Sequence, residues 1–149
     1  MRYIKTFEKI NRLSMRDINI NDIVSIKKYI NSGGDLNEQD KEGDTMLTWA
    51  SYTKNTEVVK LLINAGANLD LQDNGGYTAL ISSFVNKTNE SFEIAKLLIE
   101  AGADWNKTDD NDKDLLDLLT DDDKNKIIDL YPDEYNNYLI KKNAEKYNL

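Results

Sequence analysis

Two blocks of this chain carry the same spacing of apolar and polar positions. Val58, Val59, Leu61 and Leu62 fall at i, i+1, i+3 and i+4, one stripe of a helix, and leave Lys60 and Asn64 to solvent. Ile94, Ala95, Leu97 and Leu98 repeat that stripe around Lys96. Gly66 and Gly102 follow the two stripes, and the pair Gly33-Gly34 follows an earlier run containing Ile26 and Ile30. Glycine accepts the left-handed conformation that closes a helix, so three helix ends are predicted there. Ahead of the first stripe, Thr45 precedes Leu47, Trp49 and Ala50, which predicts a short helix capped by the threonine hydroxyl with Trp49 on its packing stripe. A polar loop over residues 68–76, rich in Asp and Gly, favours a hairpin-like turn. A single unit of helix, turn, helix and loop cannot bury its stripe alone, so the pattern predicts an all-α solenoid of stacked units.

Gly43 and Gly76 stand 33 positions apart, whereas Gly66 and Gly102 stand 36 apart. Periods of this length mark stacked arrays. The second copy therefore holds three extra residues, within 86–91, which are expected to lengthen the turn between its helices. Such an array exposes apolar faces at its ends and needs lids. Tyr3, Ile4, Phe7 and Ile10 have helical spacing and suit an N-terminal cap. Pro132 suits the first position of a C-terminal helix, with Asp133 and Glu134 in its first turn and Lys141, Lys142 and Lys146 towards its end. Tyr131, Tyr135, Tyr138 and Leu139 would face the stack.

Residues 40–72 and 73–108 resemble the ankyrin repeat, whose units run D-x-x-G-x-T-P-L-H-x-A and close on L-L-x-x-G-A-D. The stretch before residue 40 resembles the second half of an earlier unit. Residues 109–131 resemble a degenerate acidic unit, with Asp112, Asp114 and Leu116 in the places of Gly76, Thr78 and Leu80. The resemblance implies one ankyrin-like domain over 1–149: a cap and partial unit to residue 39, two full units, the acidic unit, and a capping helix over 132–149. Where the family has Pro and His after the threonine, this chain has Met46 and Thr48, then Ala79 and Ile81. The hydrogen bonds that this His gives between loops are therefore expected to be missing, and the array to be softer.

Composition removes most chemistry. With no cysteine and no histidine, disulfides, the usual zinc sites and His-dependent nucleophiles are excluded. No Gly-rich phosphate loop or nucleophile elbow appears, so the expectation is no enzyme and no cofactor. Charges interrupt every apolar run near the N-terminus, so neither a signal peptide nor a membrane span is legible, and a cytoplasmic protein is expected. The net charge of −8 is concentrated between Asp109 and Glu134, where eleven acids meet three lysines. Such a surface repels phosphate backbones and favours a basic protein partner.

The family resemblance implies partner binding by the loop tips and the exposed face of the first helices, which line a concave groove. Carried over residue by residue, that surface comprises Lys41, Glu42, Asp44, Tyr52 and Thr53, then Asn74, Tyr77, Val85 and Asn86, then Asp110, Asn111 and Lys113. Tyr52 and Tyr77 stand out, because tyrosine concentrates binding energy at interfaces. Asp110, Asp112 and Asp114 add an acidic docking surface. It supports a second reading, a dedicated inhibitor or immunity protein that neutralises a basic toxin or effector. The same acids imitate a calcium loop, but Leu115 stands where that loop needs glycine. The expected role is a monomeric scaffold or adaptor that binds another protein and neither nucleic acid nor membrane.

Overall fold

The computed structural model describes residues 18–147. The expected N-terminal cap of Tyr3, Ile4, Phe7 and Ile10 lies outside them. Eight helices and no strand are present among the described residues: α1 (Ile23–Asn31), α2 (Met46–Tyr52), α3 (Thr56–Asn64), α4 (Ala79–Ser82), α5 (Asn89–Glu100), α6 (Leu115–Leu118), α7 (Asp121–Leu130) and α8 (Pro132–Tyr147). Helices α2 and α3 pack as one pair and α4 and α5 as the next. The pairs stack first helix on first helix and second on second, with α1 against α3 at one end. Met46, Leu47, Ala50, Val58, Val59 and Leu62 meet Ala79, Leu80, Ile94, Ala95 and Leu98 in one continuous core. This is the stacked burial that the repeated stripes predict.

The first helices start on equivalent capping residues, with Thr45 the one read from the sequence. Thr45, Thr78 and Asp114 accept from the backbone N–H groups of Thr48, Ile81 and Asp117 at 3.1, 3.3 and 3.1 Å. Every loop is built on an aspartate. Asp40 Oδ1 accepts from the N–H groups of Glu42 and Asp44, Asp73 Oδ1 from Gly75 and Tyr77, and Asp109 Oδ1 from Asn111 and Lys113, all within 2.8–3.0 Å. The degenerate acidic segment therefore repeats the loop of the two regular units, atom for atom. Successive loops join through Asn74 N–H to Glu42 O at 2.9 Å and Asp110 N–H to Gly75 O at 3.0 Å.

Gly43 and Gly76 make that approach feasible. Both have φ +80°, and a Cβ on Gly76 would stand 2.8 Å from Asp109 Cα. Asp112, in the corresponding place of the next loop, takes the same left-handed conformation with φ 58°. Its side chain is exposed.

One expectation is corrected. The loops do not lose their cross-bonds with the missing histidine, because glutamines supply them. Gln39 Nε2 donates to Gly43 O and Gln72 O at 2.6 and 2.9 Å, and Gln72 Nε2 donates to Gly76 O and Thr108 O, both at 2.7 Å. The turn between the helices of the second unit is lengthened as expected, six residues over 83–88 against three over 53–55, and α5 also grows, to twelve residues against nine for α3, while α4 shortens to four against seven for α2.

The C-terminal end is locked by two buried carboxylates. Asp114 is 3% exposed and accepts from Tyr138 Oη at 2.8 Å and Lys142 Nζ at 2.7 Å, which pins α8 to the start of α6. Burial alone would raise its pKa, but these hydrogen bonds outweigh burial and hold it below the usual value. Burial pushes the Tyr138 phenol up to about 12. Asp123, also buried, pairs with Lys87 from the stretch just before α5 and accepts from Thr120 Oγ1. The extra residues therefore sit beside a tie to the last unit. Trp105 is buried edge-on to Tyr131, their ring centroids 6.4 Å apart.

Candidate functional site

A short helix with two faces creates the site. On α2, Met46, Leu47 and Ala50 fill the core, so Trp49 and Tyr52, three residues apart, share the opposite side. Each is 41% exposed, and their rings meet edge to face at 5.8 Å. This corrects the placement of Trp49 on the packing stripe: five smaller residues, Met46, Leu47, Thr48, Ala50 and Ser51, already occupy the buried side of a seven-residue helix.

Trp49 and Tyr52 line a cleft of about 410 Å³ together with Asp44, Asp73, Tyr77, Ser82 and Val85. Four of these, Asp44, Tyr52, Tyr77 and Val85, are residues that the sequence puts forward. They come from two adjacent units and meet in one place. Trp49, Asp73 and Ser82 are the residues that sequence reasoning missed. The signal for Asp73 was its loop position, two residues before Gly75.

Neighbouring side chains hold the walls in place. Asn86 Nδ2 donates to Tyr52 Oη across the unit boundary at 3.0 Å. Lys54, in the left-handed conformation with φ 62°, donates its ammonium to the carbonyls of Ser51, Tyr52, Ser82 and Val85 at 2.8–3.3 Å. It thereby ties the C-terminal ends of α2 and α4, where carbonyls lack helical partners. Burial pulls its pKa down.

The cleft is also acidic. Burial pushes the Asp44 carboxyl above its usual range; the Thr48 hydroxyl, donating at 3.0 Å, opposes this, and the carboxylates of Asp73, Asp40 and Glu42 add to it. Among the described residues, no ion pair within 4.0 Å involves Asp44 or Asp73.

The remaining predicted residues lie around this cleft or away from it. Lys41 and Glu42, themselves an ion pair at 3.2 Å, share the loop tips with Asn74, Asp110, Asn111, Asp112 and Lys113. Thr53 lies on the other side of Trp49, in a neighbouring cavity of about 470 Å³ that also takes in Ile18, Ile20 and Asp40. Asp114 departs from the expected acidic docking surface, since its carboxylate is buried and engaged by Tyr138 and Lys142. Asp109 and Asp123 are likewise buried. Among the described residues no group of three acidic side chains is placed to hold a metal ion, and no helix is long and apolar enough to cross a membrane.

Comparison with known proteins fits this geometry. A family profile described as ankyrin repeats (three copies) matches residues 15–109. Among solved structures, an ankyrin repeat domain from Acinetobacter baumannii AYE is similar at 30% identity, with a TM-score of 0.62. The similarity covers 64% of this chain and 50% of that one, so this chain spans about half of that protein. No curated protein matches. With two complete units stacked in register, and with the profile matching well over half of its residues, the chain belongs to the ankyrin repeat family, whose domains generally mediate protein–protein interaction.

Proposed function

We propose that this protein binds a partner protein through the cleft between α2, α4 and the loops that precede them, and that it works as a scaffold or adaptor rather than by catalysis. One observation carries the reading: Trp49, Tyr52 and Tyr77, from two successive units, converge on one cleft with their rings at least partly accessible. Large amphipathic rings in a preformed concavity are where binding energy concentrates. Asn86 holds the Tyr52 hydroxyl and Lys54 ties the helix ends beside it, so that wall needs less ordering on binding.

The inhibitor reading, with its basic target, draws on fewer acids than the sequence offers, because Asp109, Asp114 and Asp123 serve inside the fold. Asp110 and Asp112 remain exposed at the loop tips and extend the cleft's negative character along them. The test is affinity capture from lysate of the source cells with three baits: wild type, Trp49→Ala/Tyr77→Ala, and Asp110→Asn/Asp112→Asn. A partner retained by the third bait and lost with the aromatic pair supports the cleft. Loss with the acidic pair alone supports the inhibitor, and capture indifferent to both rejects both surfaces.

A further inference from the structure

Resting on the cleft reading above, we infer that the cleft is a receptor for a single basic side chain, arginine or lysine, projecting from the partner protein. Three independent features of this cleft converge on that ligand chemistry. The first is its walls: Trp49 and Tyr52 meet at 84°, so they present two differently directed aromatic surfaces, and Tyr77 adds a third ring from the next unit. A cation over such faces is attracted by the ring quadrupole, most strongly over tryptophan. The second is its charge: Asp44 and Asp73 line the same space, and among the described residues neither forms an ion pair. Lys54, the cation nearest the rings, lies 6.0 Å from the Tyr52 centroid, but its ammonium is taken up by four carbonyls. The third is shape: the cleft offers about 410 Å³ with an apolar wall at Val85. Arginine and lysine carry an alkyl stem that packs on apolar surface and a charged end that does not. Asp73 Oδ1 already accepts from Gly75 and Tyr77 and Asp44 Oδ1 from Thr48, so it is the negative charge of the pair, not its hydrogen bonding, that a neutral side chain would leave uncompensated and an acidic one would oppose.

Asp44 also bears on selection between ligands. It is a half-buried carboxyl crowded by Asp73, Asp40 and Glu42. An arriving cation relieves that crowding, so binding and the carboxylate's ionised form favour each other. Arginine is the better fit of the two, because its planar guanidinium can stack on an indole while donating to a carboxylate, whereas an ammonium acts as a point charge.

The experiment uses the full chain, labelled with ¹⁵N, and three capped tripeptides, Gly-Arg-Gly, Gly-Lys-Gly and Gly-citrulline-Gly, at neutral pH and low salt. The indole N–H resonance of Trp49 reports the cleft, and that of buried Trp105 reports the intact fold. The expected result is a saturable shift at Trp49 and Tyr77 with the arginine or lysine peptide, no comparable shift with citrulline, and affinity lowered at least about threefold by Asp44→Asn, the size expected of one partly exposed charge contact. Trp49→Leu, with the Trp105 signal unmoved, should abolish saturation. Citrulline matching arginine, shifts that avoid the cleft, or indifference to Asp44→Asn would each overturn the inference. Lysate capture that still depends on Trp49 and Tyr77 would then leave the cleft reading standing, with a ligand other than a cation.

Discussion

Replacing Asp114 by alanine removes three things at once. The start of α6 loses its cap, worth about 1 kcal/mol. The Tyr138 hydroxyl, in a residue 5% exposed, loses its acceptor, and stranding a buried polar group costs about 1–3 kcal/mol. Lys142 keeps a half-exposed side chain and still donates to Tyr138 Oη at 2.6 Å, so its own loss is small, about 0–1 kcal/mol. The sum is about 3 kcal/mol, and it falls on one end of the stack. In a solenoid each unit contacts only its neighbours, so the loss should appear as fraying of α6 to α8 while α2 and α3 hold. Amide hydrogen exchange reads this directly, and urea melts followed at Trp105, which packs on Tyr131, read the total. The pH dependence follows from the lowered pKa of Asp114. Its folded value lies below the unfolded one, so the stabilisation is complete above about 3.8. It is lost as pH falls through the folded value, and wild type and Asp114→Asn should converge there. A loss under about 1 kcal/mol at pH 7, or protection lost evenly along the chain, would refute the reasoning.

Other consequences are tested with the same melts. Asp44 has a raised pKa, so its ionisation opposes folding; Asp44→Asn should raise the melting temperature at pH 7, and the gain should fade as pH falls through the folded pKa, because the native carboxyl is then neutral too. Gly76→Ala combines a φ of +80° with a Cβ 2.8 Å from Asp109 Cα and should cost about 2 kcal/mol or more. Asp112→Gly, at an exposed left-handed position, should instead gain a few tenths of a kcal/mol, up to about 1. Asp123→Ala should destabilise far more than Asp122→Ala, since only Asp123 is buried and paired with Lys87.

Much of the architecture was legible because it is written in short-range rules. Thr45, Thr78, Gly43 and Gly76 each answer a backbone need within a few residues, and the acidic unit kept enough of that pattern, through Asp112, Asp114 and Leu116, to be placed in register. What failed was what depends on distant partners. Asp114 sits in an acid-rich run and reads as solvated, because Tyr138 and Lys142 stand 24 and 28 residues away. Trp49 reads as core by its apolarity, yet a seven-residue helix has little room on its buried side, and the largest ring was left on the other. The cross-bonding role of Gln39 and Gln72 was not legible either, since their acceptors in the next loop, the carbonyls of Gln72 and Thr108, stand 33 and 36 residues away. Of the candidate site, the two tyrosines were legible from their places in the unit; their meeting with Trp49 and Asp73 needed the stacking of two units.

The central claim is that partners are held by the cleft side of this stack. The most direct measurement is photo-crosslinking in the source cells with benzoylphenylalanine placed at Tyr77 in the cleft or at Lys60, on α3, where its ammonium pairs with Glu93 between the second helices. The account predicts one discrete crosslinked protein from position 77 and none from position 60. The same protein crosslinked from position 60 and not from 77 would contradict it.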